Sequence, residues 1–155
     1  IREVLHLFKY DRRPEIGAIL GKLMAVYFET VRGPVRPDAI VAVPLHRARK
    51  RKRGYNQAEI LARAVGKSLR IPRIRGCLAR SRAVPPQTGL SRFERRKNVR
   101  NSFRVRRPGR LQGKSILLVD DILTTGATIT ECASTLHRAG TSRVLILTAA
   151  RTVNR

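Results

Sequence analysis

The feature that most constrains this chain is a short apolar run that ends in two acids. Residues 114–121 read "KSILLVDD", and "ILTTGAT" follows before a helical pattern begins. A continuous apolar run of this length is typical of a strand that is buried on both faces, as in a parallel sheet. The small and hydroxyl-bearing residues after it suit a tight turn. We therefore predict strand, turn and helix in succession, with Asp120 and Asp121 at the carboxyl end of the strand.

The rest of the chain continues this alternation of strands and helices. The predicted strands are 39–45, 114–121 and 142–150, and the predicted helices are 14–31, 56–69 and 128–140. Strands that alternate with helices imply a parallel sheet with helices on its faces. The predicted fold class is therefore α/β, with a central and mostly parallel sheet, and the 155 residues suit a single domain.

Two details of the helices can be tested against the structure. In helix 14–31 apolar residues recur at helical spacing. The residues of this stripe fall on one side of the helix: Ile16, Ile19, Leu20, Leu23, Val26 and Tyr27. In the next helices, the pairs Asn56–Glu59 and Thr128–Glu131 have the spacing of a capping box, which closes the first helical turn.

Residues 70–114 differ in character from the rest. Basic residues are dense there, and Glu94 is the only acid. Two prolines and a glycine predict a mobile loop over residues 81–91. We also predict a short helix over 92–99 and a strand over 102–107.

The turn after the two aspartates has the composition of an anion-binding site. Ligands of an open α/β sheet bind at the carboxyl ends of its strands. Gly126 allows close approach of the backbone, and helix N-terminal amides with the hydroxyls of Thr124, Thr125 and Thr128 can hold a phosphate. Carboxylates accept hydrogen bonds from sugar hydroxyls and can also hold magnesium, directly or through water. A ribose 5-phosphate therefore fits both halves of the motif.

Three other interpretations compete with a ribose phosphate site. A receiver domain also has a strand ending in Asp-Asp, but it extends much further than the 34 residues that follow Asp121. A helicase-type acidic box needs a P-loop, and "GRLQGKS" (109–115) has Pro108 where the first glycine should stand and leads into a strand. The third is an ordinary buried strand, in which two adjacent aspartates would be costly.

These residues also carry a resemblance to known proteins. "ILLVDDILTTGAT" (116–128) resembles the phosphoribosyl pyrophosphate (PRPP) signature of type I phosphoribosyltransferases. "VPLHRARKRKRGYNQAE" (43–59), together with "QTGLSRFERRKNVRNSF" (87–103), resembles the ComF family of competence-associated proteins. The resemblance implies a type I phosphoribosyltransferase-like fold with a small basic hood that carries the flexible loop.

The resemblance also assigns roles to residues of the site. It implies catalytic contacts of Asp120 and Asp121 with the ribose hydroxyls and with Mg²⁺. The residues implied for the 5-phosphate are Thr124, Thr125, Gly126, Ala127 and Thr128. The loop after the first core strand would bind pyrophosphate, through Pro44, Leu45, His46 and Arg47. ComF relatives usually carry an N-terminal zinc module; since this chain begins at Ile1 and has no such module, we expect the missing segment to hold it.

Charge suggests a second partner. The sequence has 34 Lys and Arg against 10 Asp and Glu, a formal net charge of +24, which attracts polyanions. Few aromatics accompany the basic residues, so we expect backbone contacts without sequence preference. The candidate nucleic-acid-binding residues are Arg49, Lys50, Arg51, Lys52, Arg53, Arg95, Arg96 and Lys97. The alternative is an arginine-rich composition that decorates every surface.

Two functions therefore stay open. The first is a DNA-uptake protein of natural transformation, built on a PRPP-binding domain, that binds single-stranded DNA and works with a ComFA-like helicase. The second is a Mg²⁺-dependent phosphoribosyltransferase of nucleotide salvage. Cys77 and Cys132 are too few for a disulfide framework and are expected to be inert. No apolar run approaches the roughly 18 residues of a membrane span, so we expect no membrane insertion and a cytoplasmic location.

Overall fold

The computed structural model describes Phe8, residues 13–81 and residues 98–152, apart from the side chain of Lys52. Along these residues the elements are α1 (Pro14–Val31), β1 (Ala39–Ala42), α2 (Arg47–Arg53), α3 (Gln57–Leu69), β2 (Leu78–Arg80), β3 (Phe103–Val105), a 3₁₀ turn (Pro108–Arg110), β4 (Ser115–Leu123), α4 (Ala127–Arg138) and β5 (Arg143–Arg151). Within the described ranges, no helix is both long enough and apolar enough to cross a membrane.

The main sheet has three parallel strands in the order β1-β4-β5. In its register, Ile40 lies beside Leu117, and Leu117 lies beside Leu145. The central strand is apolar from Ile116 to Val119 and completely buried there, because α1 and α3 pack on one face and α4 with β2 and β3 packs on the other. The predicted α/β class and the two-sided burial of the sheet are confirmed.

A second, smaller sheet pairs β2 with β3 in antiparallel fashion. It confirms the strand predicted within 102–107, although the structure limits it to Phe103–Val105. Residues 82–97 lie outside the described residues. The predicted mobile loop, most of the predicted short helix, and the candidate DNA contacts Arg95, Arg96 and Lys97 all fall there.

The apolar stripe of α1 is mostly not its buried face, since Leu20 is the one buried residue among its six. Its stripe residues Ile19, Leu23, Val26 and Tyr27 keep 61–65% of their surface exposed. The buried face consists of Gly17, Leu20, Gly21, Met24, Ala25 and Phe28. The cause is the close approach of α1 to α3: a Cβ at Gly21 would lie 2.4 Å from the Cβ of Ala64. Only glycine allows that separation, so the two glycines set the rotation of the helix.

Two helix starts also differ from prediction. The segment Arg47–Arg53 is helical, with His46 as its N-cap, although its single apolar residue, Ala48, gives no periodic signal. Helix α4 begins at Ala127 with Gly126 as its N-cap and no side-chain cap. The predicted Thr128–Glu131 capping box is therefore wrong, and Glu131 Oε1 instead accepts a hydrogen bond from the Asn101 amide at 3.0 Å.

Candidate functional site

The two aspartates lie on β4 just before the turn into α4. Asp120 Oδ1 accepts a hydrogen bond from the Asp121 amide at 2.9 Å, and Asp121 Oδ1 accepts one from the Ile122 amide at 2.7 Å. Each carboxylate is thus oriented by the backbone amide of the following residue. β4 continues to Leu123, two residues beyond the predicted end. The acids therefore stand on a hydrogen-bonded strand, which fixes them more firmly than a loop would.

The turn from β4 into α4 requires glycine at one position. Gly126 has φ +78°, a conformation that residues with a side chain rarely adopt. The first intrahelical bond runs from the Thr130 amide to the Gly126 carbonyl at 2.8 Å. The amides of the first helical turn, before Thr130, have no partner within the helix. Together with the positive end of the 12-residue helix, they form an anion-binding end.

These elements surround a cavity of about 220 Å³, here called the turn cavity. It is lined by Val43, Pro44, Leu45, Arg49, Arg53, Asn56, Gln57, Ala58, Arg80, Asp120, Asp121 and residues 122–129. The structure therefore brings together the two predicted acids, all of Thr124–Thr128, and Pro44 with Leu45. These residues are far apart in sequence and meet because β1 and β4 are neighbouring parallel strands that end at the same edge.

Two predicted pyrophosphate residues do not line the turn cavity. His46 caps α2, and its Nδ1 accepts a hydrogen bond from the Ala48 amide at 3.3 Å. Arg47 is the first residue of α2 and is exposed. The cations that do line the cavity from this helix are Arg49 and Arg53, four residues apart and hence on one face.

Two further candidate DNA contacts of α2, Lys50 and Arg51, do not line the turn cavity, and the side chain of Lys52 lies outside the described part of the structure. Arg51 and Lys50 are exposed. Lys50 Nζ forms an ion pair with Glu59 at 3.3 Å. Glu59 is the residue that was predicted to complete a capping box with Asn56. Helix α2 therefore has one face toward the turn cavity and one outer face. Because six of its seven residues are basic, the sequence does not show which residues lie on which face.

Arg80 is a cavity residue that the sequence analysis did not single out. It stands on β2, and its guanidinium lies 5.2 Å from the centre of the Phe103 ring. Burial lowers the pKa of Arg80, and the positive charge of Arg49 lowers it further, while Cys132 and Asp120 act in the opposite direction. Its buried Nε has no hydrogen-bond partner among the described residues. Only the pairing of β2 with β3 brings it here, so no local sequence signal could have identified it.

Asn56 and Gln57 lie where the β1 side of the cavity meets α3. Asn56 Nδ2 donates to the Val43 carbonyl at 3.0 Å, and its Oδ1 accepts from the Ala58 amide at 3.2 Å. Asn56 therefore connects the end of β1 to the start of α3. Gln57 is 2% exposed, and its Nε2 is a second buried donor without a partner in the described chain. Arg80 and Gln57 thus both line the turn cavity and both carry a buried donor, a group that folded proteins normally pair with protein, water or a ligand.

The donor set of the turn cavity fits magnesium better than zinc. Mg²⁺ prefers oxygen ligands and is usually held by one or two carboxylates, with water and substrate phosphates completing the shell. Asp120 and Asp121 are such a pair. Within the described ranges, no cluster of three or more His, Cys, Asp or Glu could hold a metal alone.

The two cysteines are not activated for catalysis. Both are buried and unpaired. Burial raises the pKa of Cys77, and burial together with the negative charge of Asp120 raises the pKa of Cys132 well above its ordinary value. Thiols in this state are protonated at neutral pH and are poor nucleophiles. Neither thiol is therefore a candidate nucleophile for the turn cavity, whose residues are suited to binding a ligand through hydrogen bonds and charge.

Comparisons with known proteins identify the family of this chain. Residues 8–153 match the family model described as "Phosphoribosyl transferase domain". The chain is 34% identical over 153 residues to "DNA utilization protein YhgH" of Escherichia coli (strain K12) and 31% identical over 155 residues to "Competence protein F" of Haemophilus influenzae. These alignments cover 97% and 96% of this chain but only 66% of each relative, slightly under two thirds.

Among solved structures, a similar fold occurs in glutamine PRPP amidotransferase from B. subtilis, complexed with ADP and GMP. The TM-score is 0.61 at 22% identity, over 92% of this chain and 30% of that one. A likeness at this identity concerns the fold. The type I phosphoribosyltransferase fold is thus shared, and the chain belongs to the phosphoribosyl transferase domain family, as a member of its ComF branch.

Proposed function

We propose that the turn cavity binds PRPP together with Mg²⁺. The 5-phosphate would lie on the amides and hydroxyls of Thr124–Thr128, and the ribose hydroxyls would donate to Asp120 and Asp121. The pyrophosphate would face Pro44, Leu45 and the arginines of the cavity. Magnesium, when bound, would neutralise the pyrophosphate.

One observation carries this proposal. Two buried donors, Arg80 Nε and Gln57 Nε2, line the same cavity as the anion-binding turn and have no partner in the described chain. Leaving a buried donor unsatisfied costs about 1–3 kcal/mol. A ligand with phosphates at both ends of a sugar would match the turn at one end, and rotation of the Arg80 and Gln57 side chains would bring their buried donors to its other end. The two carboxylates match its hydroxyls.

The test compares ligand-induced stabilisation in three proteins. PRPP with Mg²⁺ should raise the melting temperature of the wild type. Asp120→Asn/Asp121→Asn should lose that shift while keeping the fold, because amides cannot replace both the negative charge and the acceptors. The control Glu15→Gln/Glu29→Gln removes two negative charges from α1, distant from the cavity, and should keep the full shift. Equal shifts in all three proteins would disprove the assignment of the acids.

For the whole protein, we infer a role in DNA handling with single-stranded DNA as a partner. Support comes from the charge of +24, from the exposed outer face of α2 beside the cavity, and from relatives named for DNA utilization and competence. Exposed arginines suit phosphate contacts that do not depend on sequence.

The alternative is a phosphoribosyltransferase of nucleotide salvage. In that reaction a nitrogen of a base would displace pyrophosphate from ribose C1, and the cavity would supply positioning and charge rather than a nucleophile. Pyrophosphate release from PRPP with a panel of bases separates the two functions. Base-dependent release would favour the salvage enzyme, and PRPP binding without release would favour a binding domain.

A further inference from the structure

A second cavity, of about 300 Å³, lies on the other side of Pro44. It is bounded by β1, by α3 and by residues 73–78. Three arginines line it, Arg63, Arg73 and Arg75, and we call it the arginine pocket. Within the described part of the chain, none of the three makes an ion pair or a side-chain hydrogen bond.

The backbone that carries these arginines is well anchored. The Ile40 amide donates to the Pro72 carbonyl at 2.9 Å, and the Ile74 amide donates to the Ile40 carbonyl at 3.0 Å. Arg73 is therefore held beside β1 on both sides. Its stem lies against α3, since a Cβ at Gly66 would be 3.3 Å from Arg73 Cγ. These contacts fix the backbone and the start of the Arg73 side chain at the pocket.

The charges in the arginine pocket repel one another. After burial, the positive charges of Arg75 and Arg63 are the main influences that lower the pKa of Arg73. Glu59 is the opposing acid, and its carboxylate is already paired with Lys50. Three cations brought together with so little compensation favour an anion, and arginine holds phosphate oxygens in a forked geometry.

The wall behind the arginines is apolar. Its accessible apolar surface comes from the half-buried Ile60, while Ile40, Ile74 and Leu78 also line the pocket but expose only 1%, 8% and 5% of their surfaces. A bare inorganic anion gains nothing from such a wall. An anion joined to a flat, weakly polar group does, and a nucleotide has both parts. A volume of about 300 Å³ is at the lower end of the range for small-ligand sites.

The two cavities are adjacent. Pro44 lines both of them, and on β2 Leu78 lines the arginine pocket while Arg80 lines the turn cavity. We propose that the arginine pocket seats one nucleotide of single-stranded DNA, with its phosphate on Arg63, Arg73 and Arg75 and its base on the apolar wall. This rests on the DNA-handling function proposed above and extends it beyond the basic residues of α2.

The test uses wild-type protein saturated with PRPP, so that the turn cavity is occupied. The variant Arg63→Ala/Arg75→Ala removes two exposed cations of the pocket. Its control, Arg36→Ala/Arg143→Ala, removes two exposed cations elsewhere and leaves the net charge equal. Fluorescence anisotropy then measures the affinity for an oligothymidylate and for an abasic oligonucleotide of the same length.

We expect the pocket variant to bind oligothymidylate about tenfold more weakly than the control does. The wild type and the control should prefer oligothymidylate over the abasic strand, and the pocket variant should lose most of that preference. The same loss in both variants, or an unchanged preference in the pocket variant, would overturn the proposal. The thermal shift with PRPP should be equal in all three proteins, which separates this site from the turn cavity.

The experiments separate two outcomes: that the protein does not bind single-stranded DNA, and that the arginine pocket does not bind a nucleotide. If the wild type does not bind oligothymidylate at physiological salt, the DNA-handling proposal fails. In that case, binding of thymidine 5′-monophosphate to PRPP-saturated protein, measured by NMR titration, tests the arginine pocket without DNA. Saturable binding that Arg73→Gln abolishes and the Arg36/Arg143 control keeps would support a nucleotide seat, and the absence of saturable binding would overturn it.

Discussion

The turn cavity and the arginine pocket lie on either side of Pro44 yet are built from different chemistry. The turn cavity combines carboxylates, helix N-terminal amides and hydroxyls, so it offers both donors and acceptors. The arginine pocket offers three cations, one already paired acid and an apolar wall. The difference follows from position. The turn cavity stands at the carboxyl ends of β1 and β4, where backbone amides are available, whereas the arginine pocket lies along the outer edge of β1 and is lined mainly by side chains.

The largest effect is expected from the cavity face of α2. Arg49→Ala/Arg53→Ala should weaken PRPP binding by about a hundredfold or more, because each charge-assisted hydrogen bond contributes about 1.5–3 kcal/mol. Arg47→Ala/Arg51→Ala removes the same charge at the same spacing from the outer face and should change PRPP affinity by less than about threefold. Calorimetry measures both.

Equal losses in the two variants would show that only total charge matters and that the two faces of α2 are not distinct. The comparison also tests the expected role of Arg47 in pyrophosphate binding. A loss confined to the Arg47/Arg51 variant would restore that role and would contradict the assignment of Arg49 and Arg53.

The next effect concerns the unsatisfied Arg80. Arg80→Met removes a half-buried guanidinium whose buried Nε has no partner in the described chain, while keeping an apolar stem over the Phe103 ring. We expect PRPP affinity to fall about tenfold, the equivalent of 1.4 kcal/mol, with an unchanged or higher melting temperature of the free protein. A lower melting temperature with intact PRPP affinity would instead make Arg80 a structural residue.

A smaller effect is expected for DNA. The outer-face variant Arg47→Ala/Arg51→Ala should flatten the dependence of log affinity on log salt by about 1.4 for single-stranded DNA, since each neutralised phosphate contributes roughly 0.7. The control is again Arg36→Ala/Arg143→Ala. An unchanged slope in the outer-face variant would show that the outer-face arginines of α2 do not contact DNA phosphates. Arg49 is omitted because it lines the turn cavity.

The smallest effect uses the two thiols as reporters. Cys132 lies in α4 behind the turn cavity, and Cys77 lies between Gly76 and Leu78 of the arginine pocket. Because burial raises both pKa values, labelling by a disulfide reagent at neutral pH should be slow in the folded protein. PRPP should slow labelling of Cys132 and leave Cys77 unchanged. Equal protection of both thiols would mean that the cavities open together.

The raised pKa values of the two thiols also predict how the free energy of unfolding changes with pH. A thiol whose pKa is raised by folding holds its proton longer in the folded state than in the unfolded state. Its contribution to the free energy of unfolding is therefore complete below the unfolded pKa, about 8.5, and is lost as pH rises toward the folded value. Cys132→Ala should reduce that loss of stability at alkaline pH, as measured by denaturant unfolding.

The sequence by itself determined the parts of this protein in which chain neighbours are also spatial neighbours. A buried parallel strand needs a continuous apolar run, and Gly126 is required where φ is +78°. Asp120, Asp121 and Thr124–Thr128 could therefore be placed together from one stretch, and the α/β class followed from the alternation of elements. Pro44 and Leu45 were added by the family resemblance, and in the structure they meet the acids because β1 and β4 are neighbouring parallel strands.

Tertiary structure alone decided which of several chemically similar residues face each site. The buried face of α1 follows from the close contact of Gly21 with Ala64 on α3, not from the bulk of its apolar stripe. Arg80 enters the turn cavity only because β2 pairs with β3. The spacing of apolar residues predicts that a segment is helical, but it does not predict which side of the helix packs against the core. The number of arginines likewise does not predict which of them face a cavity. Which face of a helix is buried and which arginines line a cavity depend on contacts between residues that are distant in sequence. Such contacts exist only in the folded chain.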